Sequence, residues 1–287
     1  MSFDYDKLKN WPFEEITQTY TSRDTILYAL GVGLGADPMY EQQLQYVFEE
    51  SEPFMALPTM AVVLGSTGFW SRDPETGIDW VKVLHGEQKM VIHNPLPTSA
   101  TIKAKSKVTG LVDKGADKGA LILTERTLKD AASGLDLATL TSTTFARGNG
   151  GYDGPSDEAP RPHKVPEREP DFAVDLTTLD MAALIYRLSG DYNPLHASPS
   201  VARAAGFPKP ILHGLCSLGV AGHAILKGCC DYDAKRLKSL QLRFSSPVYP
   251  GEAVRTEIWR DGANISFKSK IVERDVVVLD NGHATVE

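Results

Sequence analysis

The chain has 287 residues, of which 42% are hydrophobic and 23% are charged, a composition typical of one large or two small globular domains. Its formal net charge of −7 argues against nucleic acid as the main partner, because phosphate binding needs a basic face. The spacing of the three cysteines, Cys216, Cys229 and Cys230, is not that of a disulfide framework. This fits a protein of a reducing compartment. No apolar run is long enough to cross a bilayer, so no membrane association is expected.

The first half of the chain predicts a helix followed by an antiparallel sheet. Thr21 and Asp24 have the spacing of a capping box, and the periodicity that follows predicts a helix over Thr25–Leu34. A short apolar segment with glycine and proline covers Leu57–Gly68. Runs rich in Val, Ile, Thr and Leu then predict strands at Val81–Leu84, Gln88–His93, Ala100–Leu111, Ala120–Leu128 and Leu137–Phe145.

Gly31-x-Gly33-x-x-Ala36 has the spacing of a dinucleotide-binding motif. That motif needs a strand before it and a helix after it, whereas here a helix precedes it and Asp37-Pro38 follows. We therefore interpret these glycines as a helix terminus and expect no nucleotide cofactor there.

A segment rich in proline and glycine, residues 148–172, divides the chain into an N-terminal repeat, residues 1–147, and a C-terminal repeat, residues 173–287. We expect this linker to wrap over the surface or to be partly mobile. The same order of elements recurs after it, which predicts an α+β fold in which each half is one long helix followed by an antiparallel sheet. Joining the two half-sheets edge to edge would remove two exposed edges.

In the second half, Thr177 to Asp180 has the spacing of another capping box. Met181, Leu184, Ile185 and Leu188 then recur at helical spacing and predict a buried stripe. A second apolar helix is predicted within Pro210–Leu226, opening at His213 and Gly214. The strands that follow are predicted at Leu237–Phe244, Ala253–Trp259, Ile265–Val272 and Val276–Leu279, with His283–Val286 as a further one.

Between these two helices lies a polar loop, Gly190–His196. Gly190 is a natural helix stop, and Pro194 forces Asn193 out of the helical region. Asp191, Asn193 and His196 therefore lie on an irregular loop anchored at one end, where three polar groups can be aimed at one point. Such a convergence suits the activation of a water molecule.

The two halves can be aligned, and the alignment leaves the polar loop without a counterpart. Tyr28 matches Tyr186, and Pro58 matches Pro210. This register puts Gly33 at the position of Asp191 and Pro38 at that of His196. The N-terminal half therefore lacks the polar groups and is free to accommodate a long substrate.

The segment Tyr-Arg-Leu-Ser-Gly-Asp-Tyr-Asn-Pro-Leu-His, residues 186–196, with Ala202 six residues later, resembles the signature of the MaoC-like, R-specific (type 2) enoyl-CoA hydratases. The Tyr28-Ala-Leu-Gly-Val-Gly33 helix end, Leu84-His-Gly-Glu87 and Pro210-Ile-Leu-His-Gly214 are similar to that family as well, so the resemblance covers nearly the whole chain. It implies a double hot-dog fold, a homodimer, an acyl-CoA substrate, and reversible hydration of trans-2-enoyl-CoA to (3R)-3-hydroxyacyl-CoA without metal or redox cofactor.

The resemblance also assigns roles to residues. Asp191 and His196 would hold the reacting water and transfer its protons, and Asn193 would orient it. The free backbone N–H of Gly214 at a helix start would stabilise the enolate-like thioester oxygen. The resemblance and the position of the loop also imply residues that contact the substrate. These are His85, Gly86, Lys114, Tyr192, Pro194, Leu195 and Phe244.

Other functions remain open at this level. Cys216, two residues after Gly214, could serve as a thioesterase nucleophile, although no partner signature accompanies it. The histidines show no metal-ligand spacing, and His213 is expected to pack or to bind a backbone group. A non-catalytic acyl-CoA-binding protein is the third alternative. The compartment depends on the source: cytoplasm in a bacterium, peroxisome in a eukaryote, although the sequence ends without a peroxisomal tripeptide.

Overall fold

A computed structural model of the chain, in which residues 3–287 are described, contains one ten-stranded antiparallel sheet in the order β1-β3-β4-β5-β2-β7-β10-β9-β8-β6. Five consecutive strands of this order come from each half of the chain. The strands are β1 (Ile16–Tyr20), β2 (Val83–Ile92), β3 (Ala100–Asp113), β4 (Ala120–Asp130), β5 (Asp136–Ala146), β6 (Phe172–Thr177), β7 (Leu237–Phe244), β8 (Ala253–Asp261), β9 (Asn264–Ile271) and β10 (Val276–Val286).

The two half-sheets join through an antiparallel pairing of β2 with β7, which we call the seam. Lys89 faces Gln241 at the middle of the seam, and Glu87 faces Arg243 nearer to one end. The predicted edge-to-edge union of two half-sheets is therefore confirmed, and the fold is the predicted α+β double hot-dog.

The helices lie mainly on one face of this sheet, and only one of them is long. The α-helices are α1 (Tyr5–Lys9), α2 (Ser22–Gly31), α3 (Glu41–Val47), α4 (Ala182–Tyr186), α5 (Pro199–Ala204) and α6 (Gly214–Cys229), and short 3-10 helices include Pro58–Val63 and Pro194–His196.

Helix α6 is buried over most of its length and packs against both halves of the molecule. Gly219 approaches Val32, and Gly222 approaches Thr59, so closely that a Cβ at either glycine would overlap the neighbouring side chain. In the first half, the Pro58–Pro210 register aligns α6 with residues 62–77, which contain only the end of the 3-10 helix Pro58–Val63 and two 3-10 helices of three residues each. The first-half helix predicted at Thr25–Leu34 is confirmed as α2, but the first half has no long helix at the place of α6.

Two helix-capping predictions had different outcomes. The capping box of Thr21 and Asp24 is formed at the start of α2. The second predicted box, at Thr177 to Asp180, is not formed, because Thr177 ends β6 and the Thr178 hydroxyl donates to the carbonyl of Glu252. Helix α4 begins only at Ala182.

The predicted apolar stripe of α4 is not buried. Met181, Leu184 and Leu188 are 58%, 53% and 49% exposed, whereas Ala182, Ala183 and Tyr186 face the core. The helix is too short to bury two faces, and its small residues allow the closer approach to α2. The Tyr28 and Tyr186 rings, which the alignment makes counterparts, lie 5.8 Å apart in this contact.

The strand predictions need three corrections. Val81–Leu84 and Gln88–His93 form one strand, β2, whose register shifts between His85 and Glu87 and so creates a bulge at Gly86. The last two predicted strands are likewise one strand, β10, interrupted by bulges. The edge strands β1 and β6 were not predicted from the sequence. Each is short and only partly buried, so its pattern of apolar residues is weak.

Buried residues from both halves form one large hydrophobic core between the sheet and the helices. A smaller core cluster lies under the N-terminal segment, around Leu8, Leu111 and Ile122. The linker is attached to the body at specific points, since the Asp157 carboxylate accepts from Tyr5 and Lys9, and Trp259 donates to the Arg168 carbonyl. Within residues 3–287, no helix has the length and apolar character required to traverse a bilayer.

Candidate active site

The polar loop is fixed by backbone geometry and by its own side chains. Gly190 has a φ of 119°, a conformation that favours glycine and ends the preceding helical turn. The Asp191 carboxylate accepts from the N–H of Asn193 at 3.1 Å. The Asn193 side-chain carbonyl accepts from the N–H of Leu195 at 3.1 Å and so caps the 3-10 helix Pro194–His196. This turn brings His196 to the inside of the loop, where it is 8% exposed.

His196 is held by a carbonyl and by a second imidazole. Its Nδ1 lies 2.9 Å from the carbonyl oxygen of Ile211, and since a carbonyl only accepts, Nδ1 carries the proton. The lone pair is therefore on Nε2 when the ring is neutral. The His213 ring stacks on that of His196 at a centroid distance of 3.8 Å, and its Nε2 donates to the backbone carbonyl of Asp191 at 3.2 Å.

The structure brings Asp191, His196 and His213 to one point, with a donor atom of each within 4.8 Å of the others. Burial lowers the pKa of His196, against the opposing effects of the Ile211 carbonyl and the nearby Asp191 carboxylate. Burial, together with the neighbouring His196, lowers the pKa of His213 to about 4. Both imidazoles are therefore neutral at pH 7, and His196 is available as a base.

Gly214 is the first residue of α6 and follows His213 directly. A first-turn N–H has no acceptor inside its own helix, and the dipole of a long helix favours negative charge at this end. Gly214 is exposed, and a Cβ at this position would lie 3.3 Å from the Phe244 ring. The N-terminus of α6 therefore presents a free donor beside the imidazole pair, and Phe244 forms the adjacent wall.

The predicted substrate residues of the sheet lie at one end of the seam. His85 contacts Phe244 across it, with ring centroids 4.9 Å apart, and the bulge at Gly86 lies beside them. The Glu87 carboxylate and the Arg243 guanidinium pair at 2.6 Å, which ties β2 to β7 just behind this end. His85, Gly86 and Phe244 thus lie in one cluster that extends to Gly214.

Lys114 and the outer loop residues lie at the periphery. Lys114 is exposed in the turn between β3 and β4, three strands away from β2, and it forms no ion pair with any described residue. Tyr192 is 59% exposed and carries the Arg187 guanidinium 5.1 Å from its ring centroid. Pro194 is exposed, and Leu195 is half-buried. The predicted contacts of these residues with substrate remain predictions.

Cys216 does not have the environment of a nucleophile. It is fully buried, burial raises the pKa of its thiol, and the thiol donates to the carbonyl of Gly31 at 3.3 Å. A nucleophilic cysteine needs an accessible, ionisable thiol. The geometry therefore disfavours a thioesterase that acts through Cys216.

Sequence and structure comparisons show which family the chain belongs to. The model of the MFE-2 hydratase 2 N-terminal domain matches residues 18–148, and the model of the MaoC like domain matches residues 162–282. The chain is 37% identical to a probable enoyl-CoA hydratase 2 of Dictyostelium discoideum, over 100% of this chain and 98% of the relative. The chain belongs to the MaoC-like hydratase family.

Other members differ in length. The chain is 38% identical to the peroxisomal enoyl-CoA hydratase 2 of Arabidopsis thaliana, over 96% of this chain and 94% of the relative. It is also 38% identical to the peroxisomal multifunctional enzyme type 2 of Mus musculus, but it spans only 36% of that protein. A MaoC-like dehydratase structure from Phytophthora capsici superposes with a TM-score of 0.88 at 38% identity, covering 99% of both chains.

In this MaoC-like chain, sequence reasoning placed His213 correctly as a residue that binds a backbone group, but it missed the stacking on His196. No local spacing signals this contact, because 17 positions separate the two histidines. The buried Nδ1 of His213 has no hydrogen-bond partner among the described residues. Two imidazoles and a carboxylate also form a donor set that could hold a divalent metal ion.

Proposed function

We propose that the chain catalyses the reversible hydration of trans-2-enoyl-CoA to (3R)-3-hydroxyacyl-CoA in fatty acyl-CoA metabolism. It is a hydro-lyase of the enoyl-CoA hydratase 2 type, as its relatives are named. The observation that carries the proposal is the convergence of Asp191, His196 and His213 beside the N-terminus of α6. A non-catalytic acyl-CoA binder would not need this combination of a buried neutral imidazole and a carboxylate.

The residues supply the proton transfers that hydration requires. Water lies between the Asp191 carboxylate and the Nε2 of His196, where the neutral imidazole accepts a proton as the water oxygen bonds to C3. The π bond between C2 and C3 breaks, and C2 receives a proton from the same pair. One proton leaves the water and one reaches C2, so the site returns to its starting protonation state. Positioned acid–base groups of this kind contribute about 10²–10⁴-fold to rate.

The thioester oxygen gains negative charge as water adds to C3. We assign its stabilisation to the backbone N–H of Gly214, which has no acceptor inside α6, with the helix dipole acting in the same sense. Asn193 holds the loop through its side-chain carbonyl, and its amide nitrogen is left to orient the water or the substrate. Hydration transfers no net electrons, so the reaction itself requires no redox cofactor.

The substrate path follows from the end of the seam. We propose that the acyl thioester passes between Phe244 and His85, beside the bulge at Gly86, with Tyr192, Pro194 and Leu195 lining the loop side. The exposed, unpaired Lys114 is assigned to a phosphate of CoA. Because the first half has no long helix at the place that α6 occupies in the second half, long enoyl chains are expected to be accepted.

The experiment that tests the proposal is an ultraviolet assay. Crotonyl-CoA and trans-2-decenoyl-CoA should both lose their enoyl absorbance, with rates within about tenfold of each other, and chiral analysis of the product should give the R alcohol. Release of free thiol without loss of the enoyl group would instead identify a thioesterase. Tight binding without either change would identify an acyl-CoA-binding protein.

Two further properties belong to the same proposal. We expect a homodimer, to be measured by light scattering in solution. The compartment follows the source organism, the peroxisome for a eukaryote and the cytoplasm for a bacterium, as the peroxisomal relatives suggest. The chain spans 36% of the Mus musculus multifunctional relative and 48% of that of Drosophila melanogaster, and we propose no activity of the rest of those proteins for it.

A further inference from the structure

The seam has an approximate twofold axis that relates its two ends. Pro58 and Pro210 are counterparts in the two halves, and 152 positions separate them. The same offset separates Lys89 from Gln241, which face each other in the β2–β7 pairing. The axis therefore passes between Lys89 and Gln241, and whatever lies at one end of the seam has a structural counterpart at the other.

One end of the seam carries the candidate active site, and the opposite end carries a separate cavity of about 410 Å³, which we call the distal cavity. Three of its lining residues are counterparts of residues at the active-site end. Ile92 takes the place of Phe244, Lys238 that of Gly86, and Pro58 that of Pro210.

The walls of the distal cavity are held in place by hydrogen bonds to the rest of the protein. The Tyr20 hydroxyl donates to the Pro97 carbonyl, and the Thr25 hydroxyl donates to the Thr98 carbonyl, both at 2.8 Å. On the opposite wall, the N–H of Met55 donates to the Gln45 carbonyl at 2.7 Å. The cavity is therefore preformed, as small-molecule sites usually are.

The lining combines an apolar floor with a cationic rim. Phe54, Met55 and Leu96 supply apolar surface. Lys235 is exposed at the rim and forms no ion pair within residues 3–287, although its backbone N–H is capped by the Asp233 carboxylate. Lys238, the second lysine of the rim, pairs with Glu287 at 2.9 Å.

This end of the seam lacks counterparts of the catalytic residues, although His93 also lines the cavity, with its Nε2 2.8 Å from the Thr139 hydroxyl. The position that corresponds to His85 is occupied by Leu237, which is fully buried. The positions that correspond to Asp191 and His196 are Gly33 and Pro38. A ligand in the distal cavity would therefore lack the groups that hydrate an enoyl thioester.

We propose that the distal cavity is a second, non-catalytic binding site for a flexible, largely apolar chain that ends in an anionic group. The chain would lie on the apolar floor, and the anion would contact Lys235 and Lys238 in competition with Glu287. A fatty carboxylate has this chemistry, whereas the phosphorylated pantetheine arm of CoA, which carries two amides, shares only the flexible chain and the anionic end. The site does not involve the catalytic residues, so its presence and the hydratase activity can be tested separately.

Methionine methyl groups report occupancy of the distal cavity directly. The chain contains 6 methionines, of which Met55 lines the cavity, whereas Met39 is 84% exposed and lies outside it. Protein labelled with ¹³C at the methionine methyl is titrated separately with sodium decanoate, below its micellar concentration, and with CoA. The Met55 signal, assigned with a Met55→Leu variant, should shift saturably while the Met39 signal stays unchanged.

Charge variants test the role of the rim. The double variant Lys235→Glu/Lys238→Glu should bind about tenfold more weakly, because two exposed ion pairs become repulsive contacts. Glu287→Gln should bind about threefold more tightly, since Lys238 loses its internal partner. Lys105→Glu, an exposed lysine on β3 away from the cavity, should leave binding unchanged.

The outcomes decide the proposal. A Met55 shift with decanoate alone identifies a fatty carboxylate site, and a shift with CoA alone identifies a site for the pantetheine arm. Absence of a saturable Met55 shift with both probes, or a shift that the double charge reversal leaves unchanged, overturns the proposal. Hydration of crotonyl-CoA should proceed at the wild-type rate in all three charge variants, so failure of this site is distinguishable from failure of the catalytic assignment.

Discussion

Helix α6 and the 3-10 helix Pro58–Val63 occupy counterpart places in the two halves of one sheet, but only α6 begins beside a carboxylate and two imidazoles. The two halves also differ in the residues of the loop that precedes each of these helices. In the second half it presents Asp191 and His196, whereas in the first half Gly33 and Gly35 take left-handed conformations, with φ of 87° and 77°. In the function that we propose, the same framework therefore supports chemistry at one end of the seam only.

This comparison indicates how the fold divides its tasks. The sheet and the shared core position both loops equally well, so the framework alone does not create an active site. In the mechanism that we propose, the second half gains its reactivity from three side chains and one free N–H. The first half has no helix of this length at the place of α6, and we propose that this leaves room for a long acyl chain.

The sharpest test of the comparison is to remove the polar groups of the second half. Asp191→Ala and His196→Ala should each lower the rate constant kcat for hydration by about 10²–10⁴-fold, because each removes a proton-transfer group. The matched control is Pro38→Ala, at the first-half position that corresponds to His196, and it should retain wild-type activity. Circular dichroism checks folding. Folded Asp191 or His196 variants with wild-type rates would refute the proposed mechanism.

The free N–H of Gly214 can be removed without breaking α6. Proline is tolerated at the first position of a helix, and His213 already has an extended conformation, with ψ of 138°. Gly214→Pro should therefore lower kcat by about 10²–10³-fold, the usual effect of losing one oxyanion donor. Gly214→Ala keeps the N–H and should lose much less activity. Equal losses in both variants would indicate a steric effect at Phe244 instead.

The pH dependence of the reaction depends on the burial of His196. A base must be neutral to act, and burial lowers the pKa of His196 from the ordinary value of 6.5. The profile of kcat/KM should therefore stay level as the pH falls through 6.5, and at pH values below the lowered pKa it should decrease by about tenfold per pH unit. A decrease that begins above pH 6.5 would contradict the neutral, buried imidazole.

The smallest expected effect concerns metal. Asp191, His196 and His213 could hold a divalent ion, whereas the first half has no such donors at the counterpart positions. We expect hydration to proceed without metal, so dialysis against EDTA should change kcat by less than about twofold. Loss of activity on chelation, with recovery on addition of Zn²⁺, would instead show that the three residues are metal ligands.

Much of the fold and of the site could be predicted from the sequence because local chemistry specifies it. The glycine stop and the proline before Leu195 define the polar loop, the Thr21 capping box starts α2, and the alternation of apolar residues defines most strands. The failures have a common cause. Met181 and Leu184 have helical spacing, but tertiary contact with α2 selects the alanine face of α4 for burial.

The sequence by itself determined the double repeat, the helix start at Gly214 and the set of polar residues in the loop, because turns, caps and periodicity act over a few neighbouring positions. Only the tertiary structure decided that His213 stacks on His196, that β2 and β7 form the seam, and that a cavity lies at its far end. These features depend on contacts between residues distant along the chain, and such contacts are decided by the packing of the whole core.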